Sequence, residues 1–258
     1  MLTEVWLNGK AYQIDEDEYI ARCTNCGLDY INPRLVYTPG LAAYNQEEEL
    51  AYFRSTYEER LRAYRSILDR LSSWSSQVPS SLLDIGCGDG ALLEAALDAG
   101  MERILGLEIS PILVELVSDH LGAEKVTGAP IETLPGGSFE VVTIINVLEH
   151  LHEPATMLEE AARVLADRGI ILVHVPNIGG LPARLAGPRW SQIEPYAHFS
   201  YFKPSTLAGL LERTGFTPVG RFHLPTGPGA RSIVQNGLAR IGLYIDNGLG
   251  MVAMRKDS

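Results

Sequence analysis

"LLDIGCGDGALLEAAL", residues 82–97, is the stretch whose reading decides the fold. An apolar run ends in glycines at alternate positions, Gly86, Gly88 and Gly90, and a helical pattern follows at once. Strand, glycine turn and helix in that order make the ligand-binding edge of a parallel sheet. Glycine lets the backbone approach a ligand, and the free N–H groups of the helix point at it. The spacing departs from the dinucleotide fingerprint G-x-G-x-x-G. Asp89, inside the turn, would set one anion against another if a pyrophosphate lay there, and is acceptable next to a cationic ligand. Glu108 follows Gly90 by eighteen residues, at the tip of the next strand, where a carboxylate accepts hydrogen bonds from a ribose diol. Asp84, just before the loop, is in reach of an ammonium group. Together these features describe a nucleoside with an amino-acid moiety and no phosphate.

Around this stretch the pattern alternates as a parallel α/β sheet demands. Strands are expected at 81–86, 103–109, 140–147 and 169–175, with helices at 90–99, 111–121 and 154–165. The strands are almost continuously apolar, which fits a sheet covered on both faces. A Pro- and Gly-rich stretch follows Val175; then come a helix at 204–214, a strand at 216–223, a helical insert at 229–241 and a last strand in "GMVAMRK". Upstream, Asn8-Gly9 predicts a tight hairpin over 4–14. A strand, a Cys23-x-x-Cys26-Gly27 turn and a strand ended by Pro33 come next, then an amphipathic helix over 47–74. The polar "SSWSSQVPSS" marks a boundary. The chain divides on this reading into a β segment (1–40), a helical lid (41–75) and a ligand-binding core (76–258) whose stretch 176–203 covers the substrate.

The 258 residues are 46% hydrophobic, enough for one large core, and carry a formal net charge of −11. The densest basic stretch, Arg60 to Arg70, is offset by Glu58, Glu59 and Asp69, so no surface suits nucleic acid. A small-molecule acceptor is expected instead. The N-terminus lacks a secretory pattern and no window reaches the length of a membrane span, so the cytoplasm is the expected compartment. Three cysteines are too few and scattered for a disulfide framework. The oligomeric state is not legible.

"LLDIGCGDG", "LGLEIS", "SFEVVTIINVLEHL" and "AARVLADRGIILVHVPN" resemble, in order and spacing, the motifs of class I S-adenosylmethionine-dependent methyltransferases. The similarity is to the small-molecule branch that includes the ubiquinone-pathway O-methyltransferases. It implies a Rossmann-like, doubly wound α/β fold with a seven-stranded, mainly parallel sheet, and S-adenosylmethionine as cofactor. By resemblance, Asp84, Gly86, Cys87, Gly88, Gly90 and Asn146 surround the cofactor, Glu108 holds its ribose, and Ile109, Ile131 and Glu132 flank its adenine. The acid that often reads the adenine amino group is replaced by Pro130. Related enzymes lay a helix such as 47–74 over the cofactor, which makes Arg65 a candidate for its carboxylate. Methylation of a hydroxyl in a phenol, quinone or sugar-type secondary metabolite is the expected reaction.

A hydroxyl acceptor needs its proton removed, and histidine does this near neutral pH. His150, in "NVLEHL" after a strand, and His198, in "EPYAHFSYF", are the expected bases, with His152 behind them. Trp190, Tyr196 and Tyr201 are expected to wall an aromatic acceptor pocket. Some related enzymes bind a divalent cation with Glu-x-x-Glu-His. Here the first carboxylate is Asn146, leaving Glu149 and His150 as an incomplete set, so no metal is expected. Cys23 and Cys26 resemble half of a zinc ribbon whose other half is absent from residues 1–22, which predicts a metal-free turn. The alternatives are N- or C-methylation, a nicotinamide-dependent dehydrogenase, which the glycine spacing opposes, and a non-catalytic binding protein.

Overall fold

A computed structural model describes residues 4–7, 10–13, 19–33, 46–75, 78–194, 197–224 and 247–256. The N-terminal strands are β1 (Glu4–Leu7), β2 (Lys10–Gln13), β3 (Tyr19–Arg22) and β4 (Asp29–Asn32). Helix α1 spans Gln46–Leu68, a run without glycine or proline. The core then runs β5 (Ser81–Ile85), α2 (Ala91–Asp98), β6 (Arg103–Leu107), α3 (Pro111–Leu121), β7 (Val126–Thr127), β8 (Phe139–Ile145), α4 (Pro154–Val164) and β9 (Leu165–Pro176). It ends with α5 (Leu181–Ala186), β10 (Ser200–Tyr201), α6 (Pro204–Arg213), β11 (Phe216–Phe222) and β12 (Gly248–Arg255).

Seven strands form the central sheet in the order β11-β12-β9-β8-β5-β6-β7, and only β12 runs against the rest. Both faces are buried, and neighbouring residues divide between them. Leu83, Val142 and Ile171 pack under α4 and α6 with Leu158, Ala161, Leu207 and Leu211. Leu82, Val141 and Ile170 pack on the other face with Leu93 and Val117 of α2 and α3. Leu61, Ile67 and Leu68 of α1 join that second layer. Each such buried side chain contributes about 1.5–3 kcal/mol, so α1 is held as part of the core. Trp74, in the polar boundary stretch, packs its indole against Gly220 of β11, where an added Cβ would lie 2.8 Å from Nε1.

Proline opens α3, α4 and α6 at the first turn, where no backbone N–H is needed. The expected elements are present with ends shifted by a few residues. The first long helix stops at Leu68 and continues as a 3-10 turn, Leu71–Ser73. Three short elements are new: two-residue β7 and β10, and α5 within the Pro/Gly stretch. The Asn8-Gly9 turn and the 229–241 segment lie outside the described residues. β10 pairs with β4, so a second sheet, β10-β4-β3, ties the N-terminal hairpin to the end of the 176–203 stretch. Among the described residues no helix is long and apolar enough to cross a membrane.

Candidate active site

The chain leaves β5 for β6 and β7 on one side and returns to β8 on the other, so the carboxyl ends of β5 and β8 flank a topological switch point. Open α/β sheets bind ligands there. The glycine loop caps β5 with positive φ at Gly86, Gly88 and Gly90 (73°, 56° and 81°), a conformation L side chains resist. At Gly88 the space is closed too: an added Cβ would lie 2.6 Å from the Phe53 ring of α1. Cys87 turns inward, its sulfur packed over Gly106 of β6, and burial pushes its thiol pKa up. Glu108 leaves β6 and accepts from the Gly88 N–H at 2.8 Å and the Ser110 N–H at 2.9 Å. It fixes the loop to the start of α3. Beside it Ile109 is 93% exposed, an apolar side chain at the rim of the site.

Asp84 is buried and accepts from the Thr143 hydroxyl at 2.6 Å. Burial, reinforced by Glu108, pushes its pKa up to about 7 despite that hydrogen bond. A cationic group nearby would restore its charge. Asp89 does not face the ligand side as an unpaired acid. Arg60 of α1 holds it through both oxygens, at 2.8 and 2.5 Å, and also donates to the Phe53 carbonyl at 3.0 Å. The acid in the turn is therefore the anchor for α1. Arg65 does not join this group; it pairs with Asp98 at the far end of α2, near the surface.

Across the switch point, β8 is followed by Asn146, which has φ 54° and turns its Oδ1 to His174 Nδ1 at 2.9 Å. A 3-10 turn, Leu148–His150, follows. His150 Nδ1 donates to the Ala197 carbonyl at 2.9 Å, and His198 Nδ1 to the Gln192 carbonyl at 2.8 Å. The two rings meet edge to face at 4.7 Å. Main-chain pairing seats them: the Phe199 N–H donates to the Glu149 carbonyl and the Ile31 N–H of β4 to the Phe199 carbonyl. Burial lowers both imidazole pKa values, that of His198 to about 4 with help from its neighbour His150. Glu149, fully buried beside them, is pushed up to about 8 by burial.

His152 lies outside this cluster, stacked on Phe199 at 4.1 Å. Trp190 and Tyr201 are buried with Ile31 and Ala183, and the indole N–H of Trp190 donates to Asn247 at 2.7 Å. They form the core beneath the 176–203 stretch; Tyr196 lies outside the described residues. Ile131 is buried in the core layer, and with Glu132 it lines a groove shared with His152 and with Met157 and Glu160 of α4. Cys23 and Cys26 sit in the β3–β4 turn, where Gly27 N–H donates to the Cys23 carbonyl. Sequence reading missed Arg60 as the partner of the loop, and it named Glu149 only as part of an incomplete metal set. Arg60 carried a faint signal, lying four residues from Thr56 and Tyr64 on the face that α1 turns to the core; Glu149 carried the partial Glu-His motif, but its meeting with His198 carried none.

Residues 56–220 match the methyltransferase-domain family. A 37.1 kDa protein of transposon TN4556 in Streptomyces fradiae is 33% identical over 125 residues, 45% of this chain and only 35% of that relative. The ubiquinone biosynthesis O-methyltransferase of Methylococcus capsulatus is 26% identical over 171 residues, 57% of this chain and 72% of that one. Among solved structures, the Burkholderia thailandensis 1,6-didemethyltoxoflavin-N1-methyltransferase, with its substrate and S-adenosylhomocysteine, superposes with a TM-score of 0.54 at 20% identity, covering 95% of this chain and 99% of that one. The family match extends over more than half of the chain and takes in the glycine loop, Glu108 and the Glu149–His150 turn. The chain belongs to the methyltransferase family, as a class I S-adenosylmethionine-dependent member.

Proposed function

We propose that this chain methylates a hydroxyl oxygen of a small molecule. Bound S-adenosylmethionine supplies a methyl group on a sulfonium, already a good leaving group. The chain's share is to hold the acceptor in line and relieve it of a proton. The glycine cradle, the Glu108 carboxylate, the buried Asp84 and the exposed Ile109 fit the cofactor's uncharged, diol, cationic and aromatic parts in turn. The observation that carries oxygen as the acceptor is the cluster of Glu149, His150 and His198 at the carboxyl edge of β8. Both imidazoles donate their Nδ1–H to carbonyls, so each keeps a lone pair on Nε2. An oxygen acceptor needs such a group, whereas an amine that is already neutral does not. The distant O-methyltransferase relative supports the same choice.

The experiment is transfer of labelled methyl from S-adenosylmethionine to a panel of phenols, hydroquinones and hydroxylated glycosides, set beside matched amines. Label should appear in methyl ethers. Label confined to N-methyl products would remove the oxygen reading and leave N-methylation, the reaction named for the toxoflavin enzyme.

A further inference from the structure

Glu149 is 1% exposed, and its Oε2 has no hydrogen-bond partner. Its Oε1 lies 3.9 Å from His150 Nε2. A carboxylate oxygen and one nitrogen from each of His150 and His198 all fall within 4.8 Å of one another. Since both Nδ1 atoms face carbonyls that can only accept, the cluster presents three acceptors and no donor between them. A single proton satisfies at most two of the three, and Glu149 Oε2 is already a buried acceptor without a partner, which is costly. A cation satisfies all of them at once.

We propose that Glu149, His150 and His198 bind one divalent transition-metal ion of the Zn2+ type. The inference rests on the hydroxyl-methylating reading for its role, though the ligand geometry stands apart from it. Two imidazoles and one carboxylate suit Zn2+ or Co2+, whereas Mg2+ and Ca2+ prefer all-oxygen sites. Asn146 takes no part, because its Oδ1 is turned to His174. The third ligand arrives instead from the end of the 176–203 stretch. The Ala197 and Gln192 carbonyls are the outer partners that orient metal-binding histidines. Metal–ligand distances of about 2.0–2.2 Å set tetrahedral neighbours about 3.4 Å apart, so the donors close in by an ångström or so on binding. Three protein ligands leave a fourth position for the acceptor hydroxyl. With both Nε2 lone pairs on the ion, the imidazoles serve the hydroxyl through the metal and do not take its proton themselves. The O–H bond breaks, the proton passes to water, and the oxygen keeps the electron pair that attacks the methyl carbon. As that bond forms, the carbon–sulfur bond breaks and its electron pair returns to sulfur.

The test uses the full chain carrying Cys23→Ser and Cys26→Ser, so that the turn thiols hold no ion, stripped with a chelator and titrated with Co2+. One equivalent should bind, with the visible d–d bands of low-symmetry Co2+, and be displaced by Zn2+ but not by excess Mg2+. Glu149→Gln and His198→Gln should each weaken Co2+ by more than about tenfold while S-adenosylhomocysteine affinity by calorimetry holds; His150→Gln replaces either variant if it loses its far-UV circular dichroism. Absence of bands, or equal binding in the variants, overturns the proposal. Full methylation of a hydroxyl by the stripped protein also overturns it and leaves the oxygen reading intact. Co2+ binding in a chain that methylates only nitrogen does the reverse.

Discussion

At the scale of single residues, charge and burial set the behaviour of the site. Glu108 bridges the loop and the start of α3, so Glu108→Ala removes two accepted N–H bonds along with those offered to a ribose. Losing bonds to a charged group costs about 1.5–3 kcal/mol, and S-adenosylhomocysteine affinity measured by calorimetry should fall ten- to a hundredfold, to judge by that magnitude. An unchanged affinity would remove Glu108 from the cofactor site. Asp84 and Glu149 have folded pKa values raised to about 7 and about 8. In the unfolded chain they ionise at their ordinary values, so the stability they give is whole below those values and is lost as pH rises toward 7–8. His150 and His198 work oppositely: their folded pKa values are lowered, and stability falls as pH drops below the ordinary imidazole value. The two pairs oppose each other in the acid range. Above the ordinary imidazole value, about 6.5, only the carboxylates act, so the ligand-free chain should lose stability as pH rises from there to about 8. Asp84→Asn should raise the melting temperature at about pH 8.5 and leave it nearly unchanged at about pH 4. A uniform shift at both would show that the effect is not ionisation.

At the scale of elements, the glycine loop is built by its neighbours as much as by its own residues. Arg60→Ala would leave Asp89, 3% exposed at its side chain, as an uncompensated buried charge. Breaking such a pair costs about 3–5 kcal/mol, and urea unfolding should show a loss of that order. Asp89→Asn with Arg60→Met should recover much of it, since no lone charge remains. Gly88→Ala meets both a left-handed φ and the Phe53 ring. Phe53→Ala should relieve the contact but not the backbone strain, so unfolding of the double variant should return only part of the stability. The legibility of these elements follows the same division. The loop and Glu108 were readable because their backbone demands restrict residue type. The pairing of Asp89 was not readable, because its partner lies twenty-nine positions away on α1 and sequence offers no sign of it.

At the scale of the whole molecule, a second sheet completes the site. Asp29 of β4 is buried between Arg22 at 2.6 Å and Lys203 at 3.0 Å, locking the hairpin to the start of α6. The hairpin holds β10, and β10 follows His198 by two residues. Asp29→Ala should therefore lower kcat for methyl transfer while leaving S-adenosylhomocysteine affinity unchanged, with steady-state kinetics and calorimetry as the paired measurements. Equal losses in both would mean general destabilisation. By itself the sequence determined the alternating strands and helices, the glycine loop, its acidic partner and hence the cofactor class. Those features are local: periodicity, turn chemistry and a strand-end carboxylate act over a few residues or one βα unit. Only the tertiary structure decided that Arg60 and not Arg65 meets the loop, that Trp190 and Tyr201 are core, and that Glu149 joins His150 and His198. Each of these depends on which distant segments the sheet order brings together, and on how far water is excluded where they meet.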